Sequence, residues 1–192
     1  MRKEEAWNNQ AVSLHVNVGI PDFSLGTIKE NMMNALVVYE SQFGNTEQVA
    51  LAIAGALRAF GQAQAVRVDP AHPIELQGVD MLVVGGPTQS WGATSGIRAF
   101  LATIPPKQLR SLSVACFDTR LRQPRWLTGS AAGGMAKNLQ KMGVSPLVPA
   151  ESFLVSGKEG PLISGELDRA AAWARTLGKA GTAGQKQKGE NR

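Results

Sequence analysis

Three short stretches of the 192-residue chain concentrate the residue types that bind or transform a ligand. In Ser41-Gln42-Phe43-Gly44-Asn45-Thr46, hydroxyls and amides directly precede a helical pattern. Hydroxyls and backbone N–H groups at the positive end of a helix make a site for a phosphate dianion, and Gly44 lets the backbone close around it. The second stretch, Pro87-Thr88-Gln89-Ser90-Trp91-Gly92, follows Gly85-Gly86 and sets an indole beside permissive backbone. A flat ring there suits a planar ligand, with Thr88 and the loop N–H groups at the ligand's polar edge; a Trp covering the rim of the core is the alternative. The third, Asp118-Thr119-Arg120, continues through Arg122 and Arg125 to Trp126. Its three arginines would favour an anionic ligand and could meet an acidic partner or a nicotinamide phosphate, or simply form a solvated basic loop.

Other chemistries are poorly served. Helix capping by Asn45 or Thr46, with Gln48 reaching back, explains one or two residues of the first stretch and not the set. A dinucleotide site would place G-x-G-x-x-G there, and the sequence lacks it. Cys116, five intervening residues and Arg122 match the spacing of a tyrosine-phosphatase site. Phosphatase chemistry needs a thiolate facing bare N–H groups, whereas Phe117 and Asp118 follow this cysteine and its apolar context buries it. A phosphate-receiver domain needs clustered carboxylates, but the corresponding strand ends read Tyr39-Glu40-Ser41 and Gly85-Gly86. His15 and His72 suggest neither a triad nor a metal pair, and a single cysteine rules out an internal disulfide and a cysteine-based zinc cage.

Positioning such loops takes a particular alternation of elements. Ala35-Leu36-Val37-Val38-Tyr39 is a short, continuous apolar run, suited to a strand buried on both faces. Val49, Ile53 and Leu57 recur at helical spacing until Gly61. Further strands are expected at 65–68, 80–84, 112–117 and 151–155, with helices near 95–103, 130–142 and 162–177. Pro105-Pro106 should end the second helix. Strands alternating with helices predict an α/β fold with a doubly wound five-stranded parallel sheet in three layers. In such sheets a ligand binds beyond the carboxyl ends of the strands, where the strand order reverses, and the three stretches fall there.

The charge pattern adds exclusions. The formal net charge is +5, but residues 34–178 carry thirteen basic and ten acidic side chains, and 179–192 four and one. Without a basic face interleaved with aromatics, nucleic-acid binding is not expected. No window approaches the roughly 20 apolar residues of a membrane span, and no secretory signal is evident, so a cytoplasmic protein is expected. Residues 1–33 are read as an N-terminal extension in which Val12, Leu14, Val16, Val18 and Ile20 alternate with polar residues, either as an edge strand or as a dispensable leader. Residues 34–178 are read as the domain and 179–192 as a structureless basic tail. The chain would be a monomer, or a weak homodimer if the leader strand paired.

Ser41-Gln42-Phe43-Gly44-Asn45-Thr46-Glu47 resembles the phosphate loop of flavodoxins, FMN-carrying electron-transfer domains, in spacing and in its place after the first strand. Gly86-Pro87-Thr88, leading to Trp91, resembles that family's isoalloxazine loop. The third stretch departs from the pattern: well-known members carry acidic residues and often a Tyr there, and this chain carries arginines. The resemblance spans roughly 34–178 and implies strand order 2-1-3-4-5 and FMN as cofactor. It implies that Ser41, Gln42, Phe43, Gly44, Asn45 and Thr46 hold the ribityl phosphate. Pro87, Thr88, Gln89, Ser90, Trp91 and Gly92 would wrap the ring, with Trp91 stacked on it, and Asp118, Thr119 and Arg120 would close the far edge. An electron carrier between a reductase and an acceptor is the first functional expectation. An NAD(P)H-dependent quinone or FMN reductase, and a flavin-free interaction module, are the alternatives.

Overall fold

The computed structural model describes residues 32–190, with side chains through residue 184; the leader, including its alternating segment, lies outside the described residues. Five strands form one parallel sheet in the order β2-β1-β3-β4-β5. They are β1 (Met33–Tyr39), β2 (Gly61–Arg67), β3 (Met81–Pro87), β4 (Ser113–Leu121) and β5 (Glu151–Val155). The helices are α1 (Asn45–Leu57), α2 (Ser95–Thr103), α3 (Pro106–Ser111), α4 (Arg125–Thr128), α5 (Ala131–Lys141) and α6 (Glu166–Glu190), with a 3-10 turn at Arg58–Phe60. The expected fold class and strand order are those observed.

The period-2 geometry of strands splits the apolar runs between two cores. Met33, Ala35, Val37 and Tyr39 of β1 join Val49, Ile53 and Leu57 of α1 and Ala170, Ala174 and Leu177 of α6 on one face. Leu36 and Val38 join Ile97, Leu101, Met135 and Leu139 of α2 and α5 on the other. Central strands β1 and β3 are therefore apolar almost throughout, while the edge strand β2 alternates exposed Gln62 and Gln64 with half-buried alanines. Phe117, Phe153 and Trp173 pack edge to face, with centroids 6.1 to 6.4 Å apart, and close the first core beside β5.

Two expectations are corrected. Strand β4 runs to Leu121 instead of ending at Phe117, so Asp118, Thr119 and Arg120 lie in a strand, paired with Ser152, Phe153 and Leu154 of β5. Helix α6 begins at Glu166 and continues to Glu190, through most of the stretch read as a structureless tail. Two of the glycines that interrupt its apolar pattern, Gly178 and Gly181, are close-approach points. A Cβ on Gly178 would stand 2.3 Å from the Phe60 ring, and one on Gly181 2.5 Å from the Met81 methyl.

Candidate functional site

The first loop leaves β1 and enters α1 through Gly44, at φ +80°, where only the backbone conformation demands glycine. No side chain caps α1, so neither Asn45 nor Thr46 performs the capping role considered for it. The amides of the helix's first turn are left for another acceptor. Thr46 Oγ1 instead shares a 2.7 Å hydrogen bond with Thr119 Oγ1, both residues being buried. Asn45 Nδ2 donates to the Glu159 carbonyl at 2.9 Å and braces the β5–α6 loop. That contact needs Gly160, whose φ is +107° and whose added Cβ would stand 2.5 Å from Asn45 Oδ1. Arg67, at the end of β2, donates to the Ser41 carbonyl. Ser41 is 3% exposed, and its Oγ has no hydrogen-bond partner. The neighbouring Glu40 carboxylate accepts from Thr94 Oγ1 and, at 3.2 Å, from Ile97 N, and so serves the start of α2.

The second loop is pinned from beneath. Thr88 N donates to Thr119 O at 2.9 Å, and Thr88 Oγ1 donates to Asp118 Oδ2 and accepts from Ala131 N. The Thr88 hydroxyl is thus committed to the protein. Reciprocal bonds between Gln89 and Gly92 frame a two-residue turn whose central residues, Ser90 and Trp91, have φ of 45° and 64°. Glycine or asparagine usually fills such positions, so this loop stores backbone strain. Trp91 donates its indole N–H to Leu127 O at 2.6 Å and its backbone pairs with Gly129. Gln89 Nε2 reaches Gln42 Oε1 at 2.8 Å and ties the second loop to the first.

Asp118 is fully buried; its Oδ2 accepts from Thr88 Oγ1, Ser130 Oγ and Ala132 N, joining the second loop to the start of α5, while its Oδ1 has no partner. Arg120 folds back onto its own loop, with Nη1 2.6 Å from Gln123 O.

These loops enclose a cavity of about 460 Å³, within the roughly 300–1,000 Å³ of small-molecule sites. Ser41, Gln42, Phe43, Asn45 and Thr46 line it from the first loop, Pro87, Thr88, Gln89 and Ser90 from the second, and Thr119 and Arg120 from β4. Gly44, Trp91, Gly92 and Asp118 are not in the lining: Gly44 sets the turn into α1, Trp91 faces the 127–129 segment, Gly92 closes the Ser90–Trp91 turn, and Asp118 lies underneath. Leu121, Val155 and Lys158 complete the wall and were not expected from sequence. No short-range pattern marks them, because the β4–β5 register and the Asn45–Glu159 bond together bring these residues to the first loop. The charged side chains of the lining, Arg120 and Lys158, are both cationic. Uncapped helix amides, the partnerless Ser41 hydroxyl and two cations together suit a phosphate dianion.

The competing chemistry has no support here. Cys116 is fully buried, and burial, with the Asp118 charge second, pushes its thiol up to about 12, the reverse of an activated thiolate. No metal-binding cluster of His, Cys, Asp or Glu occurs among the described residues. No helix among them is long and apolar enough to cross a membrane.

A family model described as a flavodoxin domain matches residues 36–144, and the chain belongs to that family. The fold resembles a flavodoxin from the domain Archaea, with TM-score 0.62 and 19% identity over 78% of this chain and 99% of that one. It is similar also to flavodoxin 2 from Bacillus cereus, with TM-score 0.62 and 18% identity over 76% and 98% of the two chains. The Flv1 flavodiiron core from Synechocystis sp. PCC6803 matches at TM-score 0.63 and 17% identity over 80% of this chain, which spans 37% of that one. No curated protein sequence matches the chain.

Proposed function

We propose that the protein binds FMN in the 460 Å³ cavity and serves as an electron carrier between a reductase and an acceptor in the cytoplasm. The observation that carries this reading is the phosphate-ready end of the cavity, where α1 has no side-chain cap beside a buried hydroxyl without a partner. In this reading Ser41, Thr46 and the first-turn amides of α1 hold the phosphate, with Arg120 and Lys158 supplying positive charge. Pro87, Gln89, Ser90 and Leu121 border the ring, while Trp91 and Asp118 hold the loops in place from outside the cavity. The flavin ring supplies one- and two-electron chemistry when bound, and the protein tunes and presents it. No side chain in the lining is required to form a covalent bond.

The test is the visible absorption spectrum of the purified full chain, before and after incubation with excess FMN and removal of the unbound fraction. Retained flavin bands support the reading, and their absence after FMN loading overturns it. NAD(P)H oxidation by the loaded protein with an added quinone would assign it to the reductases instead.

A further inference from the structure

Seven large apolar side chains are exposed among the described residues, and four of them belong to the first loop, the second loop and α4. Phe43, 41% exposed, lines the cavity; Trp91, Trp126 and Leu127 are 69%, 82% and 48% exposed. The indole of Trp91 is tied to Leu127 O, so the 88–92 and 125–129 segments form one platform. The Gln89–Gln42 bond joins that platform to the loop of Phe43. Solvent-exposed tryptophans held on short, hydrogen-bonded segments lose little entropy on contact and are typical anchors of protein interfaces.

The free charges around them are mainly cationic. Arg120 and Lys158 line the cavity, and Arg122 and Arg125 are exposed on the segment between Leu121 and Trp126. None of the four joins an ion pair among the described residues. The nearby carboxylates are engaged elsewhere: Glu40 at α2, Glu47 with the Tyr39 hydroxyl, Asp118 in the core and Glu151 with Arg169. Glu159, beside Lys158, is the exception. Like charge argues against a second copy of this face as the occupant.

We propose that this platform docks an acidic protein, whose carboxylates meet Arg122 and Arg125 around an apolar patch received by Trp91, Trp126 and Leu127. The proposal rests on the carrier reading, since it places the partner over the cavity. The probes are two forms of one haem protein with opposite charge: native cytochrome c, which is basic, and cytochrome c whose lysines have been succinylated to carboxylates. Binding of both oxidised forms to the full chain is measured at low salt, with and without FMN. Reduction of each by the dithionite-reduced, FMN-loaded protein then follows, two Fe(III) haems accepting one electron each per two-electron-reduced flavin.

The succinylated form should bind and be reduced at least tenfold better, with an advantage that falls as salt rises. Arg122→Glu with Arg125→Glu should abolish that advantage. Lys107→Glu with Arg110→Glu on α3, which leads into the amino end of β4 at the edge of the sheet opposite the cavity, makes the same change in net charge and should leave it intact. Trp126→Ala should slow reduction of the succinylated protein severalfold and leave reduction of ferricyanide unchanged. Equal effects of the two charge reversals, a preference for native cytochrome c, no effect of Trp126→Ala, or tighter binding of duplex DNA than of the acidic protein would each overturn the proposal. Selective binding by a protein that retains no flavin would keep the docking face and sink the carrier reading, whereas retained flavin without selectivity would do the reverse.

Discussion

A hydroxyl sealed from solvent without a partner is a cost to the protein alone, of about 1–3 kcal/mol, and becomes favourable only when a ligand supplies the missing acceptor. Ser41 is in that position at the mouth of α1. Ser41→Ala should therefore leave the thermal midpoint of flavin-free protein unchanged or higher, while weakening FMN about tenfold, read by titration of flavin fluorescence. Cys116 makes the opposite case, a reactive group disarmed by its surroundings. With its thiol held near 12 against an ordinary 9.0, the native state keeps a proton that the unfolded chain gives up as pH rises. Its contribution to stability is thus fully present below pH 9 and is lost progressively as pH climbs from 9 towards 12. At pH 8 an alkylating reagent should label Cys116 only after denaturant is added, and fast labelling of native protein would contradict the buried assignment. The first loop was legible because its chemistry is local: glycine, hydroxyls and amides at a strand–helix junction. Lys158 was not, because it joins the site only through a loop held by the Asn45 side chain some hundred residues earlier.

At the scale of elements, the end of β4 is where sequence and structure part. A run of Asp118-Thr119-Arg120 breaks the apolar period and reads as loop, yet register with β5 keeps it extended. Its polarity reflects surroundings at the sheet's carboxyl end, where Thr119 meets Thr46 and Asp118 meets Thr88 and Ser130. The same reasoning covers α6, whose Gly178 and Gly181 look like tail composition but stand where the helix crosses Phe60 and Met81. The platform between the 88–92 and 125–129 segments depends on Gly129, at φ +73°, where a Cβ would lie 2.5 Å from the Trp91 backbone. Gly129→Val should force these segments apart and cost about 1–3 kcal/mol in denaturant melts. Trp91 fluorescence should also become more solvent-quenched, best read with the other tryptophans replaced by Phe. A variant as stable as the parent would show that the close approach is dispensable.

For the whole molecule, the apolar runs of β1 and β3 fix the sheet, and the strand order places the loops after β1 and β3 beside one another at its carboxyl edge. The parallel sheet follows from hydrophobic periodicity, since buried parallel strands must be apolar on both faces, whereas the strand order follows from the resemblance to flavodoxins. What periodicity could not give is the direction in which loop side chains turn: Trp91 lies outside the cavity lining and donates its indole N–H to Leu127 O. If the cavity is a cofactor site, binding must also stabilise the fold as a whole. Saturating FMN at a hundred times its dissociation constant should raise unfolding free energy by about 2.7 kcal/mol. Whether the uncapped end of α1 holds the phosphate of a flavin is decided by titrating the flavin-free protein with FMN and with riboflavin, which lacks the phosphate. FMN should bind at least tenfold more tightly than riboflavin, with the difference shrinking in Ser41→Ala. Equal affinities, or binding of neither flavin, would contradict it.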